Sequence, residues 1–406
     1  MKIISADYIL TCNNSFEILK NSAICFNEKI LDVDKPENLI KKYPEAKMIE
    51  LPRNSVIMPG LINPHVHLEF SSNKTSLEYG SFMTWLNSVL AKRDDLLSTC
   101  SDEVMEKQLK IMQKSGTTSF GAISSFGNDF DVCLKSPQRV VYFTEVLGSR
   151  PDAVDVLFSD FQSRLRAAQD NESERLIPAI SIHSPYSTHP ILAKNALDIA
   201  RKFGYVVSTH FMESVAERNW LDDGSGEFND FFNNFAPNSR PVNNAIDYIE
   251  LFRGCKTLFT HCVQARKKEI EAIKEIGGSV THCPVSNRLL GIGRLEIENI
   301  DKKMLNLGTD GLSSNISLNL WDEMRAALML HFKADLKKLA PLLIQMTTTN
   351  AANALNINAG EITKDRFADF IVCELSGNLE NIENIALELI LHTKFTKATY
   401  VAGEKI

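Results

Sequence analysis

The sequence predicts an α/β protein, a (β/α)8 TIM-like barrel with a small discontinuous β-sandwich domain built from both termini. Three observations carry this. Short apolar runs alternate with helical segments from Pro59 to about Ala354. Strand-like runs without long helices fill residues 1–57 and return from 356 to 406. The polar residues of chemical interest stand at the C-terminal ends of the apolar runs. The expected division gives residues 58–355 to the barrel and both flanks to the β domain.

The first part reads as short strands: KIISADYIL, SAICFNEKILDVD and KMIELP, with SVIMP leading into the barrel. Its one amphipathic stretch is near ENLIKKY. The barrel strands are expected in TTSFGAI, VVYFTEVL, IPAISIH, YVVSTHF, KTLFTHC, GSVTHCP and KMLNLGTDG. Between them lie periodic segments such as EVMEKQLKIMQKSG, HPILAKNALDIARKFG and ARKKEIEAIKEIGG. Several end in Lys or Arg and then Gly, the pattern of a helix C-terminus. Repeated strand–helix alternation needs a parallel sheet, and a closed barrel is its natural form at this length. ADFIVCEL and ATYVAGEKI complete the β domain.

Bulk properties exclude several functions. At 406 residues and 44% hydrophobic content, the chain can bury one large core and a satellite. The net charge is -7 and no basic block occurs, so no nucleic-acid partner is expected. No apolar run reaches the roughly 18–20 residues of a membrane span. The start, MKIISADYILTC, alternates like a strand and has no leader-like core, so a cytoplasmic protein is expected. The eight cysteines contain no Cys-x-x-Cys pair and read as reduced, buried thiols. Cys262 and Cys283 each follow a histidine, and successive strand residues face opposite ways.

His65 and His67 lie in PGLINPHVHLEF. At i and i+2 on a strand, two imidazoles share one side and can begin a transition-metal site. His183 follows AISI, His210 follows YVVST, His261 follows KTLFT, His282 follows GSVT and Asp310 follows KMLNLGT. Six of the nine histidines are placed this way. Strand C-termini converge on one mouth of a barrel, where active sites are built. A single such histidine is an ordinary core residue; six with an aspartate make a site.

PGLINPHVH, STHFMES, THCV, THCPVSNRLL and LGTDGLSSNISLNLWDEMR resemble the amidohydrolase superfamily, nearest its mononuclear nucleoside- and purine-deaminase branch. The resemblance spans most of Pro59 to Arg325 in order. It implies one divalent metal per chain, zinc first and ferrous iron second, held by His65, His67, His210 and Asp310. It makes Glu213 the acid/base carboxylate that shuttles the proton, and His261 the histidine beside the activated water. Asp310 can also accept the water's proton. Such ligands suit zinc or iron, and the metal lowers the pKa of a bound water toward ~7. Glu213 must be protonated when it delivers a proton to the ring nitrogen beside the attacked carbon. Binuclear relatives carry a bridging lysine where IPAISIHSPYS offers His183, so one metal is implied.

On the substrate side, His183 in HSPY resembles a nucleoside-contacting histidine, and Trp85 an aromatic packed on the base. Asp94 lies near the place of a ribose-binding carboxylate. HLEFSSNK, YGSF, FTEVLGS, STHFMES, SNRLL and TDGLSSNISL are similar to the aminodeoxyfutalosine deaminases of the futalosine route to menaquinone. Their substrate is an adenosine bearing a 3-carboxyphenyl ketone arm. Phe70, Phe82 and Phe211 are candidates for an apolar wall, and Arg150 or Arg288 for a carboxylate clamp. The alternatives are deaminases of methylthioadenosine, S-adenosylhomocysteine, 5′-deoxyadenosine or a free purine base, and a catalytically inactive structural relative. The partner is a small nucleoside, and the resemblance allows a homodimer. Gly226 to Asn244 is long and aromatic enough to form a lid. His189, His331 and His392 have no assigned role.

Overall fold

The computed structural model describes residues 1–73, 76–235 and 239–406. Eight strands run parallel in chain order: Leu61–Val66, Thr117–Ser124, Arg139–Val146, Leu176–Ile182, Val207–Phe211, Thr257–His261, Ser279–His282 and Leu305–Leu307. Parallel neighbours need long crossovers, and helices such as Asp102–Lys114, Val154–Asp170, Pro190–Phe203 and Lys267–Glu275 supply them. Thr117–Ser124 and Arg139–Val146 are buried along their whole length, as strands covered on both faces must be. The helix Pro190–Phe203 stops at Gly204, whose φ of 72° is left-handed and whose N–H returns to the Ala200 carbonyl.

The last strand meets the first through polar contacts. Asn63 Nδ2 donates to Thr309 Oγ1 at 2.7 Å, and Thr309 N donates to Asn63 Oδ1 at 3.1 Å. The Asp310 N–H donates to the His65 carbonyl at 3.0 Å. This fit leaves little room for a side chain at two places. A Cβ on Gly308 would lie 3.1 Å from His65 Cβ, and one on Gly311 would lie 2.8 Å from His67 Cβ. The tight approach carries Asp310 to the histidine pair.

A second sheet of eight strands draws on both termini: Lys2–Leu10, Ile18–Phe26, Ile30–Asp34, Lys47–Glu50, Ser55–Pro59, Phe370–Glu374, Ala398–Val401 and Glu404–Lys405. Ile4, Phe26, Ile57, Phe370 and Tyr400 share one core on it. Ser55–Pro59, the run SVIMP, pairs with Lys2–Leu10 and with Phe370–Glu374. It belongs to this sheet, and the histidine pair is carried by LINPHV, which begins at Leu61. The helix Ile385–His392, on the expected all-strand return, packs on the helix Leu336–Met346. Its buried Ile385, Leu389 and Ile390 have helical spacing that the flanking strands mask.

The two sheets are joined by a buried ion pair. Arg139, at the start of the third barrel strand, donates from Nε to Asp369 Oδ2 at 2.6 Å. Its guanidinium lies over the Phe367 ring at 3.5 Å. Among the described residues no helix is long and apolar enough to cross a membrane. All eight cysteines are unpaired and buried.

Candidate active site

The C-terminal ends of the barrel strands place the predicted ligands together. His65 lies in the first strand and His67 directly after it. His210 lies in the fifth strand, and Asp310 follows the eighth. One ligand atom from each lies within 4.8 Å of all the others. His65 Nε2 and His67 Nε2 are 3.2 Å apart, and His67 Nε2 and His210 Nε2 are 3.3 Å apart. Asp310 Oδ1 lies 3.7 Å from His65 Nε2 and 3.5 Å from His67 Nε2. Ligands of a tetrahedral ion with bonds of about 2.0–2.1 Å stand roughly 3.3 Å apart, which these spacings match.

The donor set also suits a cation electronically. Burial, with neighbouring imidazoles next in order, lowers His65 and His210 well below the ordinary histidine value, so both are neutral. His210 Nδ1 donates to the His183 carbonyl at 2.8 Å, which leaves the Nε2 lone pair facing the cluster. His65 Nδ1 lies 3.3 Å from Thr260 Oγ1. Asp310 Oδ1 accepts from the Gly311 N–H at 2.8 Å, and Oδ2 accepts from the Ser286 and Ser314 hydroxyls at 2.9 Å each. These bonds hold Asp310 at a φ of 61°, a left-handed conformation costly for a non-glycine residue.

Glu213 and His261 border the cluster. His261 Nε2 lies 3.4 Å from Glu213 Oε1 and 3.9 Å from Asp310 Oδ2. The His261 ring is fully buried, and its Nε2 has no protein hydrogen-bond partner among the described residues. A buried ring nitrogen left this way points to a ligand that binds between these groups. Burial, then the charges of Asp310 and Glu217, raise Glu213 well above the usual carboxyl range. The carboxyl therefore holds its proton more tightly than an exposed glutamic acid does.

The substrate-side residues divide. His183 follows the fourth strand, with Nδ1 2.6 Å from Ser187 Oγ. Its ring and His210 are 5.0 Å apart between centroids. An aromatic line continues outward through Tyr186, Phe228 and Phe82 to Trp85, with centroid steps of 6.1, 4.6, 6.1 and 5.6 Å from His183. Trp85 is fixed by its Nε1–H, which donates to the Ser313 carbonyl at 2.8 Å. Phe228 belongs to the helix Glu227–Phe235 within the expected lid; residues 236–238 of that segment lie outside the described residues. Arg288 is exposed on the short helix Pro284–Leu289 and forms no ion pair among the described residues. The Leu289 carbonyl at the end of that helix accepts from Gly80 N at 2.8 Å, just before the helix that carries Trp85.

Three candidates are not brought to the site. Arg150 is exposed and paired with Asp152 two residues away. Asp94 is exposed beside Arg93 on a solvated helix face. Phe211 is fully buried against Tyr248 and Phe259 behind the barrel wall, because strand alternation that turns His210 inward turns Phe211 outward. Phe70 is half-buried near Phe126, and Phe82 joins the aromatic line.

The Amidohydrolase family model matches residues 56–405. The chain belongs to the amidohydrolase family. Among its relatives is the aminodeoxyfutalosine deaminase of a Nitratiruptor species, 46% identical over 405 residues, 100% of this chain and 99% of the relative. An adenosine deaminase of Helicobacter pylori is 34% identical over 415 residues, again 100% and 99%. The crystal structure of Helicobacter pylori aminofutalosine deaminase in complex with methylthio-coformycin superposes with a TM-score of 0.94 at 33% identity, covering 100% of each chain.

This amidohydrolase uses supporting residues that sequence reasoning passed over. Glu217 accepts the backbone N–H of Met212 through Oε1 at 2.9 Å and that of Glu213 through Oε2 at 2.8 Å. It thereby anchors the turn that presents Glu213. Burial pushes the Glu217 carboxyl up to about 7 against those stabilising N–H bonds. Replacing Glu217 by Ala strands two buried N–H groups, each worth about 1–3 kcal/mol. The expected result is a lowered thermal midpoint with a lowered kcat, read by calorimetry and turnover on one sample. Asn287, whose Oδ1 lies 2.9 Å from His261 Nδ1, was likewise not singled out. The spacing E-x-x-x-E in ESVAE was the available signal for Glu217.

Proposed function

We propose that this amidohydrolase hydrolytically deaminates 6-amino-6-deoxyfutalosine on the futalosine route to menaquinone, with ammonia as the second product. One observation carries the reaction type: a buried Glu213, its carboxyl raised well above the usual range, stands beside a three-imidazole, one-carboxylate cluster, with His261 between them. The full-length similarity to the Nitratiruptor aminodeoxyfutalosine deaminase supports the substrate.

His65, His67, His210 and Asp310 hold one divalent ion, zinc in this reading. Its chemistry is to make a water nucleophilic at neutral pH. Glu213 gives its proton to the ring nitrogen next to the amino-bearing carbon, which accepts the electron pair displaced by attack. Asp310 takes the water's proton through Oδ2, the oxygen nearer His261. His261 holds the entering oxygen. Asp310 then passes that proton to the leaving amino group, and the remaining hydroxyl proton returns to Glu213 as the carbonyl forms, so water is consumed, ammonia is released and both carboxyls are restored. Trp85, backed by the buried Phe82 and Phe228, packs the nucleoside, and His183 contacts it. The unpaired thiols suit a reducing, cytoplasmic compartment.

Arg288 is the better carboxylate clamp, since Arg150 is already paired. Arg288→Ala is expected to raise KM for the carboxyphenyl substrate by roughly 10- to 100-fold, as for a charge-assisted hydrogen bond of about 1.5–3 kcal/mol. KM for adenosine should not change. Equal losses on both substrates would remove the clamp.

The name of the Helicobacter relative favours a second reading, deamination of adenosine itself. Ammonia release from aminodeoxyfutalosine, adenosine and methylthioadenosine, with metal content measured on the same sample, separates the two. Preference for the carboxyphenyl substrate with about one metal per chain supports the first. Efficient turnover of adenosine keeps the mechanism and changes the substrate.

A further inference from the structure

A line of side chains joins His261 to the surface. His261 Nδ1 lies 2.9 Å from Asn287 Oδ1, and Asn287 Nδ2 lies 3.4 Å from His282 Nδ1. His282 Nε2 lies 3.1 Å from His331 Nε2. His331 Nδ1 lies 3.0 Å from Arg294 Nη1, and Arg294 is paired with Glu298. His261, Asn287 and His282 are fully buried, His331 is buried and Arg294 is half-buried.

Hydrogen-bond direction along this line is set from its outer end. A guanidinium only donates, and a neutral imidazole has one donor and one acceptor nitrogen. Burial lowers both His282 and His331, the latter to about 4, so both are neutral at pH 7. Arg294 donates to His331 Nδ1, which leaves the hydrogen on His331 Nε2. That hydrogen goes to His282 Nε2, which leaves the next one on His282 Nδ1. His282 Nδ1 must then meet the amide oxygen of Asn287. The two ends of an asparagine amide differ by a half-turn, and the surrounding network decides between them. With the nitrogen toward His282, two donors would face each other across the 3.4 Å contact. After the half-turn every link runs donor to acceptor, and Asn287 donates to His261 Nδ1. The last hydrogen then sits on His261 Nε2, which faces Glu213 and Asp310.

We propose that Arg294, His331, His282 and Asn287 are positioning residues whose shared hydrogen-bond direction fixes His261 as an Nε2–H donor toward the reacting centre. The inference rests on the reading of His261 as the group that holds the entering oxygen. A donor there stabilises charge growing on that oxygen and cannot act as the base, which leaves that duty to Asp310.

Nitrogen-15 NMR of the zinc-loaded full chain, labelled at histidine, tests this directly, because protonated and bare ring nitrogens resonate far apart. The His261 signals are assigned by their loss in His261→Gln. The expected spectrum has His261 Nε2 protonated and Nδ1 bare. Asn287→Asp offers only acceptors, so it should move the hydrogen to His261 Nδ1 and lower kcat by roughly 10²–10³-fold, as for a lost preorganised donor. Arg294→Met, near the surface and safe for folding, should give mixed tautomers and a smaller loss of kcat. Arg294→Lys, again donor-only, should restore both. A protonated His261 Nδ1 in the wild type would overturn the proposal, as would an Arg294→Met spectrum and kcat identical to the wild type. The tautomer is read without substrate, so a wrong substrate assignment would leave the spectrum unchanged.

Discussion

Replacing Glu213 by Gln is expected to lower kcat by roughly 10²–10⁴-fold, the usual worth of a positioned general acid/base. The amide keeps the shape of the protonated carboxyl but cannot release a proton to the ring nitrogen. Glu213 is not among the four clustered ligands, so metal content should stay near one per chain. The pH profile adds a second reading. Glu213 is raised by burial first and by Asp310 and Glu217 next. Its active, protonated form is present below the raised pKa and is lost as pH rises through it. The wild type should therefore lose kcat on the alkaline side, and Glu213→Gln should lack that limb. A retained alkaline limb in the variant would assign it to another group.

Asp310→Asn is expected to be at least as severe, for two separable reasons. Removing the carboxylate charge takes one of four ligands from the cluster, so metal content should fall below one per chain. It also removes the proton acceptor, a further loss of roughly 10²–10⁴-fold in kcat that excess zinc should not restore. The Asn side chain can still accept the Ser286 and Ser314 hydroxyls through one atom, so the fold should persist. Recovery of full activity on adding zinc would confine Asp310 to a ligand role.

Much of this site was legible because barrel geometry turns sequence position into spatial position. A polar residue at the end of an apolar strand arrives at the same mouth as every other such residue. That brought His65, His67, His210, His261 and Asp310 together, and Glu213 with them, three residues after His210. Residues on the turns and helices beyond the strands carry no such register. Asn287 and Ser286 reach the site from the helix Pro284–Leu289, and Ser314 from the loop after Asp310. His331 reaches His282 across 49 residues. Phe211 shows the opposite failure: the alternation that placed His210 inward was enough to place its neighbour outward. The run SVIMP is as apolar as a barrel strand, and only its partners reveal which sheet it joins.

The position of Ser55–Pro59 also shapes how the molecule must be made. This strand lies between Lys2–Leu10 and Phe370–Glu374, so one of its edges waits more than 300 residues for its partner. On the ribosome that edge stays open while the entire barrel is synthesised. Pairings of such long sequence separation are slow to close, and an apolar strand edge left open invites association with other chains. Closure also delivers Asp369, the acid that pairs with the otherwise buried Arg139. Until then Arg139 lacks both its carboxylate partner and the Phe367 ring that lies over its guanidinium. Chains that stop before Phe370 should therefore accumulate in inclusion bodies and not as soluble barrels, although the whole metal centre is already encoded upstream.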